Sequence, residues 1–191
     1  MTDLGDRRGG TSPVYQPAED SYLLAEAVTP HIDGDDHVLE VGSGSGVVAE
    51  AIDARSGAAV AAVDRNPHAC VATAARGIPV VCGDLVTPFV DDAFDVVVFN
   101  PPYLPEHPDL DHDDWQAVAV TGGPEGRAVI DRFLRTVPRV ITDGGTVFLL
   151  VSTLTGVDTV VETAAATGFS AVAIAEESFP FETLTVLKLI R

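Results

Sequence analysis

The stretch Ser170-Ala171-Val172-Ala173-Ile174-Ala175-Glu176-Glu177-Ser178-Phe179-Pro180-Phe181-Glu182-Thr183-Leu184-Thr185-Val186-Leu187-Lys188-Leu189-Ile190 decides the fold. Residues 170–175 and 183–190 read as strands. The loop between them has no room for a helix, so the two must run antiparallel. The chain before them behaves differently. Apolar runs at 37–41, 58–63, 78–82, 94–99 and 146–151 are predicted strands. Helical patterns fall between or after them at 46–55, 67–76, 125–137 and 157–167. Such alternation indicates an α/β chain whose parallel sheet carries helices on both faces. A further helix is predicted ahead of the sheet, at 17–28, with Pro17 at its first position. Glu19 and Asp20 complement the positive end of its dipole, and Leu23, Leu24, Ala27 and Val28 form its apolar face.

A mostly parallel sheet of seven strands with one antiparallel strand near the C-terminus resembles the plan of the class I methyltransferases. A dinucleotide-binding sheet would continue with another helix where this chain turns back on itself.

Composition narrows the function classes. The 191 residues suit one domain, numbered 1–191 with a flexible start at 1–13, and an apolar content of 46% argues against disorder. The net charge is −18, with Lys188 as the single lysine against ten arginines. A surface of this kind suits a protein that stays soluble in concentrated salt, where repulsion is screened. It disfavours stable nucleic-acid binding, because no basic cluster exceeds Arg7-Arg8. Cys70 and Cys82 show no metal-binding or redox spacing and read as two buried reduced thiols in a cytoplasmic protein. No apolar run approaches the length of a membrane span, and residues 1–12 lack the apolar core of a secretion signal.

The residues that carry chemistry fall at the ends of the predicted strands. Glu40-Val41-Gly42-Ser43-Gly44-Ser45-Gly46 closes the first strand, and its glycines let a ligand approach the backbone. Val47 stands where a pyrophosphate-binding fingerprint needs its third glycine. The acidic Glu40 suits a ligand bearing an ammonium and a sulfonium better than one bearing two phosphates. Asp64 ends the second strand, where a carboxylate can accept both hydroxyls of a ribose. Asp84 follows the third, placed to accept from an adenine amino group while Leu85 packs on the ring. Either aspartate alone is commonly a loop or cap residue. Three carboxylates ending three successive strands converge on one crevice and point to S-adenosylmethionine.

Asn100-Pro101-Pro102-Tyr103 follows the fourth strand. Taken alone it also fits a proline turn. As a site it can hold a flat –NH2 group, since the Asn100 side-chain oxygen and a neighbouring backbone carbonyl both accept hydrogen bonds. Pro101 and Pro102 fix the backbone, and Tyr103 offers a ring face. The loop 104–123, about twenty residues, is long for a compact domain. Its Asp109/Asp111/Asp113 alternation fails as a calcium loop, because Asp114 occupies the glycine position and Val120 the glutamate position. It reads as a solvated acidic loop anchored by Trp115, with a substrate-facing lid as the sharper alternative. No metal site is expected.

Four blocks together resemble the HemK-type protein-glutamine methyltransferases, in the short branch without a separate N-terminal helical domain. They are Val14-Tyr15-Gln16-Pro17-Ala18-Glu19-Asp20-Ser21, Leu39 through Val48, Phe99-Asn100-Pro101-Pro102-Tyr103, and Gly122-Gly123 through Arg127 with Asp131-Arg132-Phe133. The resemblance implies S-adenosylmethionine as cofactor, lined by Ser21, Glu40, Gly42, Gly44, Asp64, Asp84, Leu85 and Asn100. It implies that Asn100, Pro101, Pro102 and Tyr103 hold the target amide. The implied substrate is the glutamine of the Gly-Gly-Gln tip of class-I translation release factors. The implied assembly is a heterodimer with a small zinc-binding activator subunit. The third strand is expected at the sheet edge, since Pro79 in Ile78-Pro79-Val80-Val81-Cys82 is tolerable only there, and the activator is expected to add a strand to it. Alternatives are a nucleic-acid amino-methyltransferase and a protein-lysine methyltransferase.

Overall fold

A computed structural model describes residues 13–105 and 115–191. The predicted flexible start (apart from Pro13) and the acidic stretch 106–114, including the Asp109/Asp111/Asp113 alternation, lie outside those residues. In chain order the elements are α1 (Glu19–Val28), β1 (His37–Val41), α2 (Val47–Ser56), β2 (Ala59–Asp64), α3 (Pro67–Ala75), β3 (Val80–Cys82) and β4 (Phe94–Phe99). There follow α4 (Trp115–Val120), α5 (Ala128–Thr136), β5 (Ile141–Ser152), α6 (Val157–Ala166), β6 (Ser170–Ser178) and β7 (Thr183–Ile190). The sheet order is β3-β2-β1-β4-β5-β7-β6. β7 pairs antiparallel with both β5 and β6, and the remaining neighbours pair in parallel.

Alternation along the strands builds two apolar layers. Val97 and Phe99 face Ile130, Phe133 and Leu134 of α5 and Val160 of α6. Val96 and Val98 face the opposite way, with Leu24 and Val28 of α1 and Val48 and Ile52 of α2. Each such fully buried side chain contributes about 1.5–3 kcal/mol. The register then aligns the strand ends. Val41 pairs with Val63 and with Phe99, and Asp64 pairs with Cys82. Gly42, Asp64, Gly83 and Asn100 are thereby brought to one row at the carboxyl edge.

Several expectations are corrected. Helix α1 starts at Glu19 with Ala18 as its N-cap, so Pro17 lies two residues before the helix rather than at its first position. Strand β5 reaches back to Ile141, and β6 runs on to Ser178. The loop 104–123 contains the short helix α4, and Leu104 bridges in parallel to Thr121. Cys82 is exposed, because the edge strand that carries it has no neighbour beyond it among the described residues; Cys70 is only half-buried. Among the described residues no helix is long and apolar enough to cross a membrane.

Candidate functional site

A crevice opens over the carboxyl ends of β1, β2 and β4, and 32 of the described residues line it, including Ser21, Glu40, Gly42, Gly44, Asp64, Asp84, Leu85 and Asn100 through Tyr103. Every site residue expected from the sequence is on that wall. The turn after β1 forms its floor. Gly42, Gly44 and Gly46 have φ of 67°, 52° and 78°, which side chains with a Cβ rarely adopt. A Cβ on Gly42 would stand 3.2 Å from the Phe99 ring, and one on Gly46 2.9 Å from the Cα of Thr73. The turn is strapped to α3: Ser43 Oγ and Thr73 Oγ1 are 2.9 Å apart, and Arg76 Nε donates to the Ser45 carbonyl at 2.7 Å.

The carboxylates are held individually. Glu40 is buried, and its Oε2 accepts the Ala49 amide at 3.0 Å. Burial, and then the negative charge of Asp64, push its pKa up to about 8, against the pull of the Ala49 hydrogen bond. Asp64 accepts the Gly44 amide at 2.8 Å through Oδ2 and the Asn66 amide at 2.8 Å through Oδ1. Burial still raises its pKa. Asp84 carries a bidentate pair from Arg132, at 2.8 and 3.0 Å. An adenine amino group would meet Asp84 only on its remaining lone pairs. Leu85 has φ 48°, an uncommon conformation for a residue with a branched side chain, and it is buried in the crevice wall. Strain of this sort is held where surrounding structure over-determines it, commonly at ligand clamps.

Asn100 through Tyr103 leave β4 as an irregular segment whose backbone is fixed from outside. The Leu104 amide donates to the Val120 carbonyl at 2.9 Å, and the Gly122 amide donates to the Leu104 carbonyl at 2.9 Å. A Cβ on Gly122 would overlap the Gly126 carbonyl and stand 2.5 Å from the Pro102 oxygen, while one on Gly126 would overlap the Tyr103 carbonyl. The glycines of the 122–126 turn thus let two backbones meet directly behind the Asn-Pro-Pro-Tyr segment.

Four wall residues that sequence reasoning did not assign to the site bear on its chemistry. Asp20, read as a helix-dipole residue, faces the crevice and is 2% exposed. Tyr15, whose hydroxyl donates to Asp20 Oδ2 at 2.8 Å, lies beside it. Arg132 is 48 residues from Asp84 in the chain, and no local spacing could have paired them. Trp115 was expected to anchor the loop; its half-buried side chain lines the crevice.

The crevice suits S-adenosylmethionine on its own donor set. Buried and half-buried carboxylates line it, and the Gly-rich turn after β1 lets a ligand approach the backbone. Together with the sheet order, this defines a class I S-adenosylmethionine-dependent methyltransferase. Residues 39–101 match a family model described as a methyltransferase domain. The chain is similar to a protein N5-glutamine methyltransferase of Methanocaldococcus jannaschii, 35% identical over 93% of this chain and 92% of the relative. It is also similar to the human methyltransferase HEMK2, 34% identical over 96% of this chain and 92% of the relative. The chain therefore belongs to the HemK-type protein-glutamine methyltransferases. Among solved structures, its fold resembles the E. cuniculi Mtq2-Trm112 complex responsible for methylation of the eRF1 translation termination factor. The TM-score is 0.79 at 29% identity, over 94% of this chain and 99% of that one.

Proposed function

We propose that this enzyme methylates the side-chain nitrogen of the glutamine in the Gly-Gly-Gln motif of a class-I release factor. The observation that carries the reading is the Asn100–Tyr103 segment, locked from behind by Gly122 and Gly126, on the same crevice wall as the cofactor turn. The solved E. cuniculi relative, whose stated role is methylation of a termination factor, supports the substrate class. S-adenosylmethionine supplies, when bound, an electrophilic methyl group on a sulfonium. An amide nitrogen is a weak nucleophile because its lone pair is delocalised into the carbonyl. The Asn100 side-chain oxygen and the Pro101 carbonyl would accept its two N–H groups, turn the nitrogen toward the crevice and favour the positive charge that develops there. Tyr103 would support the amide plane. No strong base is needed, since the methylated amide can lose its proton to water afterwards.

The active form is proposed to be a heterodimer with a small activator subunit, which the family resemblance implies to be zinc-binding. Edge strand β3 supports this. Val81 is 41% exposed and Cys82 is exposed on a strand with a free side among the described residues. The other edge, β6, is guarded by Glu176 and Glu177 and by a register shift between Ala173 and Ala175.

The test is methyl transfer from labelled S-adenosylmethionine in molar salt, with and without the activator. The acceptors are a release factor and its Gly-Gly-Gln→Gly-Gly-Ala variant. Label on the intact motif that vanishes in the variant is expected. Label retained in the variant would overturn the reading.

A further inference from the structure

The carboxylates of the crevice wall differ in their partners. Arg65 and Arg132 are the only cationic side chains among its described lining residues, and both stand with Asp64 and Asp84 at the end assigned to adenosine. Asp20 and Glu40 also line the crevice, and among the described residues neither is paired with a cationic side chain. Asp20 is 2% exposed and Glu40 3%. The partners of Asp20 are all neutral: its Oδ1 accepts the Ser21 amide at 2.6 Å and the Ser21 hydroxyl at 3.3 Å, and its Oδ2 accepts the Tyr15 hydroxyl at 2.8 Å. Glu40 accepts only the Ala49 amide.

A buried carboxylate without a cation is costly, and chains normally neutralise or pair it. The positive end of the α1 dipole offsets part of that cost for Asp20. Its three neutral donors offset more of it, and a cation entering the crevice would add the charge partner it lacks. The cofactor brings two cationic centres. Its sulfonium has no N–H to donate, whereas its α-ammonium has three. On Asp20, Oδ1 already receives two donors and Oδ2 only one, which leaves an accepting direction on Oδ2.

We propose that Asp20 binds the α-ammonium of S-adenosylmethionine through Oδ2, with Tyr15 and Ser21 fixing the carboxylate in position. The α1 segment that precedes the sheet is then part of the cofactor site, and its contact serves the amino-acid portion of the cofactor alone. A hydrogen bond to a charged group of this kind is worth roughly ten- to hundredfold in affinity.

The test uses calorimetric binding to the full chain, in the presence of its activator if that is required for solubility. The ligands are S-adenosylmethionine, S-adenosylhomocysteine and 5′-methylthioadenosine, which lacks the amino-acid portion. Asp20→Asn should weaken the first two at least tenfold and leave the third unchanged. Tyr15→Phe should weaken the same two by a smaller factor, and it serves if Asp20→Asn does not fold. Equal weakening of all three ligands would make Asp20 a support of the crevice as a whole and overturn the assignment. So would weakening of S-adenosylmethionine alone, which would place Asp20 at the sulfonium, and so would no change in either variant.

Discussion

Replacing Glu40 with glutamine should flatten the dependence of stability on pH. In the folded chain the Glu40 carboxyl titrates at about 8 instead of 4.5, chiefly because it is buried. The raised pKa means that the folded state holds a proton which the unfolded chain has already lost. Its stabilising contribution is complete below pH 4.5 and gone once the pH has passed 8. At about 1.4 kcal/mol per pH unit, the whole span corresponds to roughly 5 kcal/mol. Between pH 6 and pH 9 the part lost is roughly 2–3 kcal/mol, or about 4–12 °C in Tm for a chain of this size. The substituted glutamine side chain would still accept the Ala49 amide without a charge to bury. Asp64, also raised by burial, gives a slope of the same sign that the variant keeps. The assay is urea unfolding of the ligand-free protein at both pH values, in constant high salt. The parent should lose roughly 2–3 kcal/mol more than Glu40→Gln across this window. Saturating S-adenosylmethionine should shrink that difference, because its cations favour the ionised carboxylate. Equal losses in parent and variant would refute the reasoning.

Asn100→Ala should abolish turnover while cofactor affinity, by calorimetry, is reduced but measurable; retained turnover would sink the proposed mechanism. Gly122→Ala adds a Cβ that would overlap the Gly126 carbonyl and crowd the Pro102 oxygen. It should cost about 1–3 kcal/mol in stability and lower methyl transfer more than tenfold, with cofactor binding nearly intact, in paired unfolding and single-turnover measurements. Val81→Glu places a charge on the exposed edge strand and should abolish co-purification with the activator; undiminished co-purification would move the interface away from β3.

The features legible in the sequence were those that a strand imposes locally. Short apolar runs marked the buried strands. The third strand is the edge, as Pro79 suggested, although β3 itself starts only at Val80, and the short connection between residues 175 and 183 forced the antiparallel pair. The glycine turn and Asn100–Tyr103 were legible because their backbones have few alternatives. What failed depended on neighbours distant in the chain. The first residues of β5 carry Asp143-Gly144-Gly145, which reads as a turn. There Gly145 packs so closely on Asp95 that a Cβ would stand 2.8 Å from its carbonyl oxygen, and the strand continues through. Cys82 alternates like a core residue, yet its strand has no partner on the outer side among the described residues. The six residues of α4 are too few to show a helical period. Asp20 had a sufficient local explanation at a helix N-terminus, so its place in the crevice emerged only once α1 was packed against α2 and strands β5 to β7.

The most direct test is the structure of this enzyme with S-adenosylhomocysteine and a peptide containing Gly-Gly-Gln. The glutamine amide nitrogen should lie about 3 Å from both the Asn100 side-chain oxygen and the Pro101 carbonyl oxygen, facing the sulfur. A glutamine bound with its nitrogen turned away from these two acceptors, or a peptide seated outside the crevice, would contradict the account.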